Sequence, residues 1–369
     1  KAQGTVEDRE KASTKASIVF ESISRSSMLV NLTIYDVAFG DDCPCLGGFL
    51  SSTRTLQVLQ FNYLQGYSTM THQAAQAIGS GLAQNKSLVK LHWEVNKGVE
   101  FLEEILFGLY DHISLKTLRL EAQLTTTSSL ALRSLLHCNG TLEHLALKQR
   151  QDYEIFPTMV SVLAGLAQNT GLIEVLFATE SFATNATLAT AWTNMLQKNT
   201  SIKIMDFRNT EFEQYADCEF YSAVAEGLAA NSTLETLYLP GWSEPEVFQG
   251  PVWQEMLKRN RWLKTLCFSD SPVSLEASQY LARGLSHNTS LESLNLSGTT
   301  MADNDIVVLV KGLRTNKTLK YLDLSYGCGL SESGRAAIQR LIGYNVLREL
   351  IVANASAGIG ALGLSANHS

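Results

Sequence analysis

Three groups of residues have the types and spacing that chemistry would need. Gly358-x-Gly360-x-x-Gly363 matches the glycine fingerprint with which a strand-to-helix turn cradles a dinucleotide pyrophosphate. Only a few residues follow it, so no helix can present its N-terminus to the phosphates, and no acidic residue follows to hold a ribose. In DDCPC (41–45), Cys43 and Cys45 stand beside two aspartates, yet no second Cys or His pair with metal-ligand spacing lies near them. His92 and His144, with Arg119, Glu121, Lys148, Asp206 and Arg208 further along, could serve as acids and bases. They have no nucleophile elbow, HExxH helix or P-loop to work with. No catalytic residue, cofactor or metal is therefore expected, and the chain reads as a non-enzyme.

Eleven Asn-x-Ser/Thr triplets begin at Asn31, Asn85, Asn139, Asn185, Asn199, Asn231, Asn288, Asn295, Asn316, Asn354 and Asn367, which would suit a glycosylated secreted protein. Their spacing points elsewhere. The phrase SLESLNL (290–296) recurs twelve times, anchored at Leu29, Leu56, Leu88, Leu115, Leu142, Leu172, Ile202, Leu234, Leu263, Leu291, Leu319 and Leu347. Three and five residues past every anchor the chain is apolar, as in Leu91 and Trp93 or Met205 and Phe207. That alternation predicts a short strand with one buried side. Before the anchors the period becomes helical, as in AAQAIGSGLAQN (74–85) and FYSAVAEGLAAN (220–231). Each unit is thus a strand, a loop and a helix, and stacked units would form a parallel sheet with an outer layer of helices. Eight copies carry Asn three residues before the anchor, where it is expected to end the helix in the left-handed conformation. Six of the triplets are then by-products of a helix stop.

These units resemble the leucine-rich repeat superfamily, specifically its ribonuclease-inhibitor-like class, and residues 288–350 carry two full periods of the pattern. Members include ribonuclease inhibitor, Ran GTPase-activating proteins, tropomodulins and the sensor regions of nucleotide-binding immune receptors. The resemblance implies an α/β solenoid, a horseshoe of about twelve repeats, whose concave sheet holds a partner protein. The Asn or Cys that the family often places eight residues past the anchor is met only by Asn96. The chain also lacks the cysteine richness of ribonuclease inhibitors and ends NASAGIGALGLSANHS where Ran GTPase-activating proteins carry an acidic tail.

Composition fits a scaffold. With 45% hydrophobic and 18% charged residues and a net charge of −7, the chain lacks the basic character of a nucleic-acid binder. No apolar run is long enough to span a membrane. Six scattered cysteines are no disulfide framework, and an intracellular location, cytoplasmic or inside an organelle, is expected, with secretion as the alternative. The opening KAQGTVEDREKASTKAS has neither Met nor an apolar stretch and is expected to be processed or truncated.

Residues 1–15 read as a polar leader, 16–353 as a single repeat domain without a hinge, and 354–369 as a tail. Long intervals at 56–88, 142–172, 172–202 and 202–234 should enlarge loops, and YLPGWSEPEVFQGPVW (238–253) should bulge from the rim. Outward positions lie two, four and six residues past each anchor. There Arg119, Arg208, Tyr238 and Tyr321, with Trp242 on the rim, are the expected anchors for a protein partner, beside His92, Asp206 and Asp323. A second reading, carried by the Ran-type relatives, is regulation of a small GTPase; a third is a glycosylated extracellular or lumenal recognition module. The ends need covers. Residues 15–27 are expected to form a capping helix, and the uncharged stretch 354–366 to fold over the last copy or give a second contact site.

Overall fold

The computed structural model describes residues 22–23, 26, 28–35, 44–63, 70–95, 101–149, 155–179, 181–182, 184–208, 215–241, 248, 250–326, 331–344 and 347–352. The leader, most of the expected capping helix, the tail and Trp242 lie outside the described residues. The chain gathers into two compact units, Lys1–Ala178 and Thr179–Ser369, each built from the same repeat.

In the first unit Asn31–Tyr35 (β1), Val58–Tyr63 (β2), Lys90–Val95 (β3), Thr117–Glu121 (β4), His144–Gln149 (β5) and Glu174–Thr179 (β6) run parallel in chain order. Helices at 44–52, 72–84, 102–107, 126–138 and 155–166 alternate with them. In the second unit Ser181–Phe182 (β7) and Tyr215–Ala216 (β9) form a small parallel pair of their own. The repeat strands there are Ile204–Asp206 (β8), Thr236–Tyr238 (β10), Thr265–Cys267 (β11), Ser293–Asn295 (β12), Tyr321–Asp323 (β13) and Glu349–Ile351 (β14). They too are parallel in chain order, with helices at 186–198, 218–228, 250–259, 275–285, 303–313 and 332–344. Twelve repeat strands and their helices make this an α/β leucine-rich-repeat solenoid.

Register carries the pattern from repeat to repeat. Leu59, Leu91, Leu118 and Leu145 lie opposite one another, so the residue three past each anchor falls in one line. These leucines, and Phe61, Trp93, Leu120 and Leu147 two places on, are buried behind the sheet. In the second unit the core is a chain of edge-to-face aromatic contacts, Trp192 to Phe207 and Phe220, then Phe220 to Tyr221. Tyr221 donates its hydroxyl to the Pro240 carbonyl, and burial pushes its pKa far up. At the two ends of the repeat array Leu32 and Leu350, at the same position in their repeats, are only half-buried.

Asparagine does more than stop a helix. Asn85, Asn139 and Asn199 end their helices in extended backbone, with φ of −71°, −87° and −70°, so the left-handed conformation expected of them is corrected. Their side chains turn inward instead. Asn260 Oδ1 accepts from the backbone N–H groups of Trp262 (2.9 Å) and Leu263 (2.8 Å), while its Nδ2 donates to the carbonyls of Leu228 (2.7 Å) and Asn231 (3.2 Å) one repeat earlier. Asn288 and Asn316 repeat the arrangement, as does Asn169 in the first unit. Each amide thus fixes the start of its own strand and satisfies carbonyls left open at the previous helix end. Hydroxyls one residue before the anchor add to this, as Thr55 and Ser114 donate to the carbonyls of Leu29 and Leu88 at 2.9 Å.

His112 occupies the asparagine position of the repeat anchored at Leu115. Its Nδ1 accepts from the Leu115 N–H at 3.1 Å, so the proton of the neutral ring sits on Nε2, which is buried and has no partner among the described residues. Burial lowers its pKa to about 4. Past the strands a further constraint repeats: seven residues after their anchors, Asp270, Gly298 and Tyr326 have φ of 57°, 70° and 62°. At Gly298 a Cβ would also stand 2.1 Å from Asp270 Oδ1, so a side chain there would have to displace the Asp270 carboxylate as well as adopt strained backbone.

The long intervals do more than lengthen loops, since two of them contribute β7 and β9. The Thr184 N–H and the Phe220 N–H both donate to Asp217, which caps the helix 218–228. Of the expected rim bulge, residues 242–247 lie outside the described residues, and its helix starts at Gly250.

Two outcomes follow. Asn260→Ala strands two N–H groups and at least one carbonyl and should cost about 2 to 5 kcal/mol in urea unfolding, comparable to Leu237→Ala at roughly 2 to 5 kcal/mol. Because the folded pKa of His112 lies below its ordinary 6.5, its contribution is whole above pH 6.5 and fades as pH falls through about 4. The loss should approach roughly 3 kcal/mol, and His112→Asn should remove that part of the acid sensitivity; an unchanged profile would contradict the assignment.

Candidate protein-binding face of the sheet

Backbone hydrogen bonding and the buried leucines leave the alternate strand positions facing outward in each unit. In the first unit, His92 lies opposite Arg119, and Glu94, Glu121 and Lys148 share the next row. Glu121 is the hub. Only 8% exposed, it receives His92 Nε2 at 3.2 Å, Arg119 Nε at 2.5 Å and Lys148 Nζ at 3.1 Å. Burial alone would raise its pKa, but the bonds from His92, Lys148 and Arg119 outweigh this and hold it at about 2. His144 pairs with Glu174 at 2.9 Å on the row nearer the strand starts.

His92, Glu94 and Glu121 offer ligand atoms within 4.8 Å of one another, the spacing of a cation site. Arg119 and Lys148 already neutralise Glu121 there, and a metal ion would have to displace or face them. The cluster is better described as a carboxylate that pins three donors to the sheet.

In the second unit Asp206, Tyr238, Cys267, Asn295 and Asp323 form one row across β8 to β13. Arg208 follows β8 and sits over the Tyr238 ring, its Cζ 3.5 Å from the ring centre. Asp206 grips the guanidinium with both oxygens, at 3.1 Å to Nε and 2.9 Å to Nη2, and also accepts from the Arg208 N–H at 2.8 Å. The hydrogen bond that Arg208 donates to Asp206 raises the Arg208 pKa against the opposing effect of burial. Asn295 and Asp323 accept from the N–H groups of Ser297 and Ser325, shaping the turn after their strands. Tyr321 is 40% exposed, and Tyr326 is exposed to 69% on left-handed backbone.

The structure therefore brings His92 and Arg119 together around Glu121, and Asp206, Arg208 and Tyr238 into one stack. Asp323 and Tyr321 share β13 two residues apart, three strands from β10. Sequence reasoning named Glu121 without seeing that it organises its neighbours. It also passed over the residues one past each anchor, where Lys203, Glu235, Lys264, Glu292 and Lys320 alternate in sign. Lys264 binds Glu235 and Lys320 binds Glu292, both at 2.6 Å. That alternation is readable in the sequence once the repeats are aligned.

On the helical side, a cavity of about 520 Å³ opens between the helices 186–198 and 218–228. Cys218 lines it, but its hydrogen bond to Glu219 raises the thiol pKa, which keeps sulfur protonated and a poor nucleophile.

No family model and no curated protein matches the chain. Solved structures do. An internalin (inlF) from Listeria monocytogenes aligns over 94% of this chain and 96% of its own, with 14% identity and a TM-score of 0.39. A chain of the yeast Rad7 and Elc1 complex aligns over 96% and 85%, with 16% identity and a TM-score of 0.46. A protein from Bacteroides fragilis aligns over 61% and 68%, with 15% identity and a TM-score of 0.32.

The hub makes a contrast that unfolding can read. Glu121→Gln leaves its donors facing one another and should cost on the order of 3 kcal/mol at pH 7. Arg119→Ala removes a half-exposed partner and should cost within about 1 kcal/mol. Equal losses would mean that Glu121 is not the centre of the cluster.

Proposed function

We propose that this chain is a non-enzymatic scaffold that binds a protein partner on the outward face of its sheet, with residues 16–353 as the repeat domain and the ribonuclease-inhibitor-like class as its nearest type. The observation that carries this is the stack of Arg208 on Tyr238, locked by Asp206. A guanidinium fixed on an aromatic ring loses little side-chain entropy on binding, and Arg and Tyr are the residues in which interface energy concentrates. Among the described residues Asp206 engages Nε and Nη2 only, which leaves Nη1 to meet a carboxylate or carbonyl of the partner. Arg119 and Tyr321, both partly exposed on strands, support the same reading, with His92 and Asp323 as flanking polar contacts. Trp242 and the tail 354–366 remain proposed as further contacts.

Differential capture tests this. Arg208→Ala with Tyr238→Ala should release a specific protein that the unmodified chain retains from its native extract, weakening it by roughly 2 kcal/mol or more. The thermal midpoint should stay nearly unchanged. Retention of every bound protein by the double variant would refute the face as the binding surface.

A further inference from the structure

Six of the Asn-x-Ser/Thr triplets begin with an asparagine of the buried series: Asn85, Asn139, Asn199, Asn231, Asn288 and Asn316. Their residues are between 1% and 6% exposed. Asn85 Nδ2 donates to the Leu50 carbonyl at 2.7 Å, Asn231 to Leu196 at 2.6 Å and Asn288 to Leu257 at 2.7 Å. Asn139 Nδ2 donates to both Leu109 and His112 at 3.1 Å, which commits its two hydrogens.

Transfer of an oligosaccharide from a lipid-linked diphosphate donor acts on this same nitrogen. The bond from Nδ2 to the anomeric carbon forms as the bond from that carbon to the diphosphate oxygen breaks, and one amide proton is lost. A modified Asn139 would therefore lose a buried hydrogen bond and would have to place a branched polar sugar between a helix end and the next strand. The middle residues of the six triplets are Lys86, Gly140, Thr200, Ser232, Thr289 and Lys317, none of them the proline that would block transfer. In the unfolded chain all six are open acceptors.

We propose that N-glycosylation of the buried asparagines and folding of this chain exclude one another, so that the chain folds in a compartment that lipid-linked oligosaccharide does not reach. Asn31 and Asn185 are exposed and would tolerate a glycan without loss of the fold. The conflict lies with the six repeat asparagines. It stands apart from the binding reading, because it follows from the buried side of the repeat alone.

The test fuses a cleavable secretion signal to the full chain and expresses it in a eukaryotic secretory host, with and without an inhibitor of lipid-linked oligosaccharide synthesis. Without inhibitor, glycans should map to the buried positions and the chain should be retained in protease-sensitive form. With inhibitor, secretion of protease-resistant chain should rise severalfold. A variant carrying Ser87→Ala, Thr141→Ala, Ser201→Ala, Thr233→Ala, Ser290→Ala and Thr318→Ala keeps every asparagine and should be secreted without inhibitor. Its folding is first checked by thermal unfolding after cytoplasmic expression in bacteria, since the Thr141 hydroxyl also bonds backbone; if it fails there, the inhibitor comparison decides alone. A folded, secreted chain bearing a glycan at any of the six would overturn the proposal. So would folded secretion with all six unmodified in the absence of inhibitor, or retention that the inhibitor leaves unchanged.

Discussion

A buried asparagine amide, shared between one repeat and the next, is the interaction on which the rest of this structure depends. A helix leaves its last carbonyls without partners, and the chain that turns from it into a strand leaves N–H groups without partners. Apolar packing cannot satisfy either. One amide does both, because its oxygen accepts from the two N–H groups leading into the strand while its nitrogen reaches back to the previous helix end. It sits three residues before the anchor leucine, so it also sets the distance between helix end and strand start. At two of the positions where another residue replaces the asparagine, Thr53 and His112, a buried polar side-chain atom has no partner among the described residues.

That arrangement leaves the outward face of the sheet without a part in the core. Strand positions that face the helices hold leucines and aromatic rings, and the register keeps them in line from repeat to repeat. Outward residues contribute little to the core and can differ from repeat to repeat without disturbing it. They are nonetheless ordered by each other, as when Glu121 holds His92, Arg119 and Lys148, or Asp206 holds Arg208 against Tyr238. Pre-ordered side chains on a rigid backbone lose less entropy when a partner arrives.

Much of the fold was legible because a repeat states each rule many times. The residues three and five past the anchor announced the strand, and residues such as Leu118 and Trp93 are buried as that spacing requires. The position of the asparagines was equally plain, but their conformation was not. Propensity favours asparagine in left-handed backbone after a helix, whereas Asn85 and Asn199 are extended, Asn85 with its amide bonded to the Leu50 carbonyl of the previous repeat and Asn199 with its own accepting from the Ser201 and Ile202 N–H groups. The pairing of β7 with β9 escaped notice because two-residue strands have no period to detect. On the proposed binding face, His92, Arg119, Asp206, Arg208 and Tyr238 were legible in the sequence as outward residues. It could not tell that Glu121 is buried among its donors, since burial on an outward row depends on neighbours from adjacent strands.

Side-chain amide hydrogen exchange, followed by NMR residue by residue, addresses the role of the asparagines most directly. The account predicts that the side-chain NH₂ protons of Asn85, Asn139, Asn169, Asn199, Asn231, Asn260, Asn288 and Asn316 exchange as slowly as the backbone amides of the buried strands. Those of exposed Asn31 and Asn185 should exchange as in an unstructured peptide. If the eight exchange as fast as Asn31 and Asn185 while the strand amides stay protected, the sheet does not depend on them and the account is wrong.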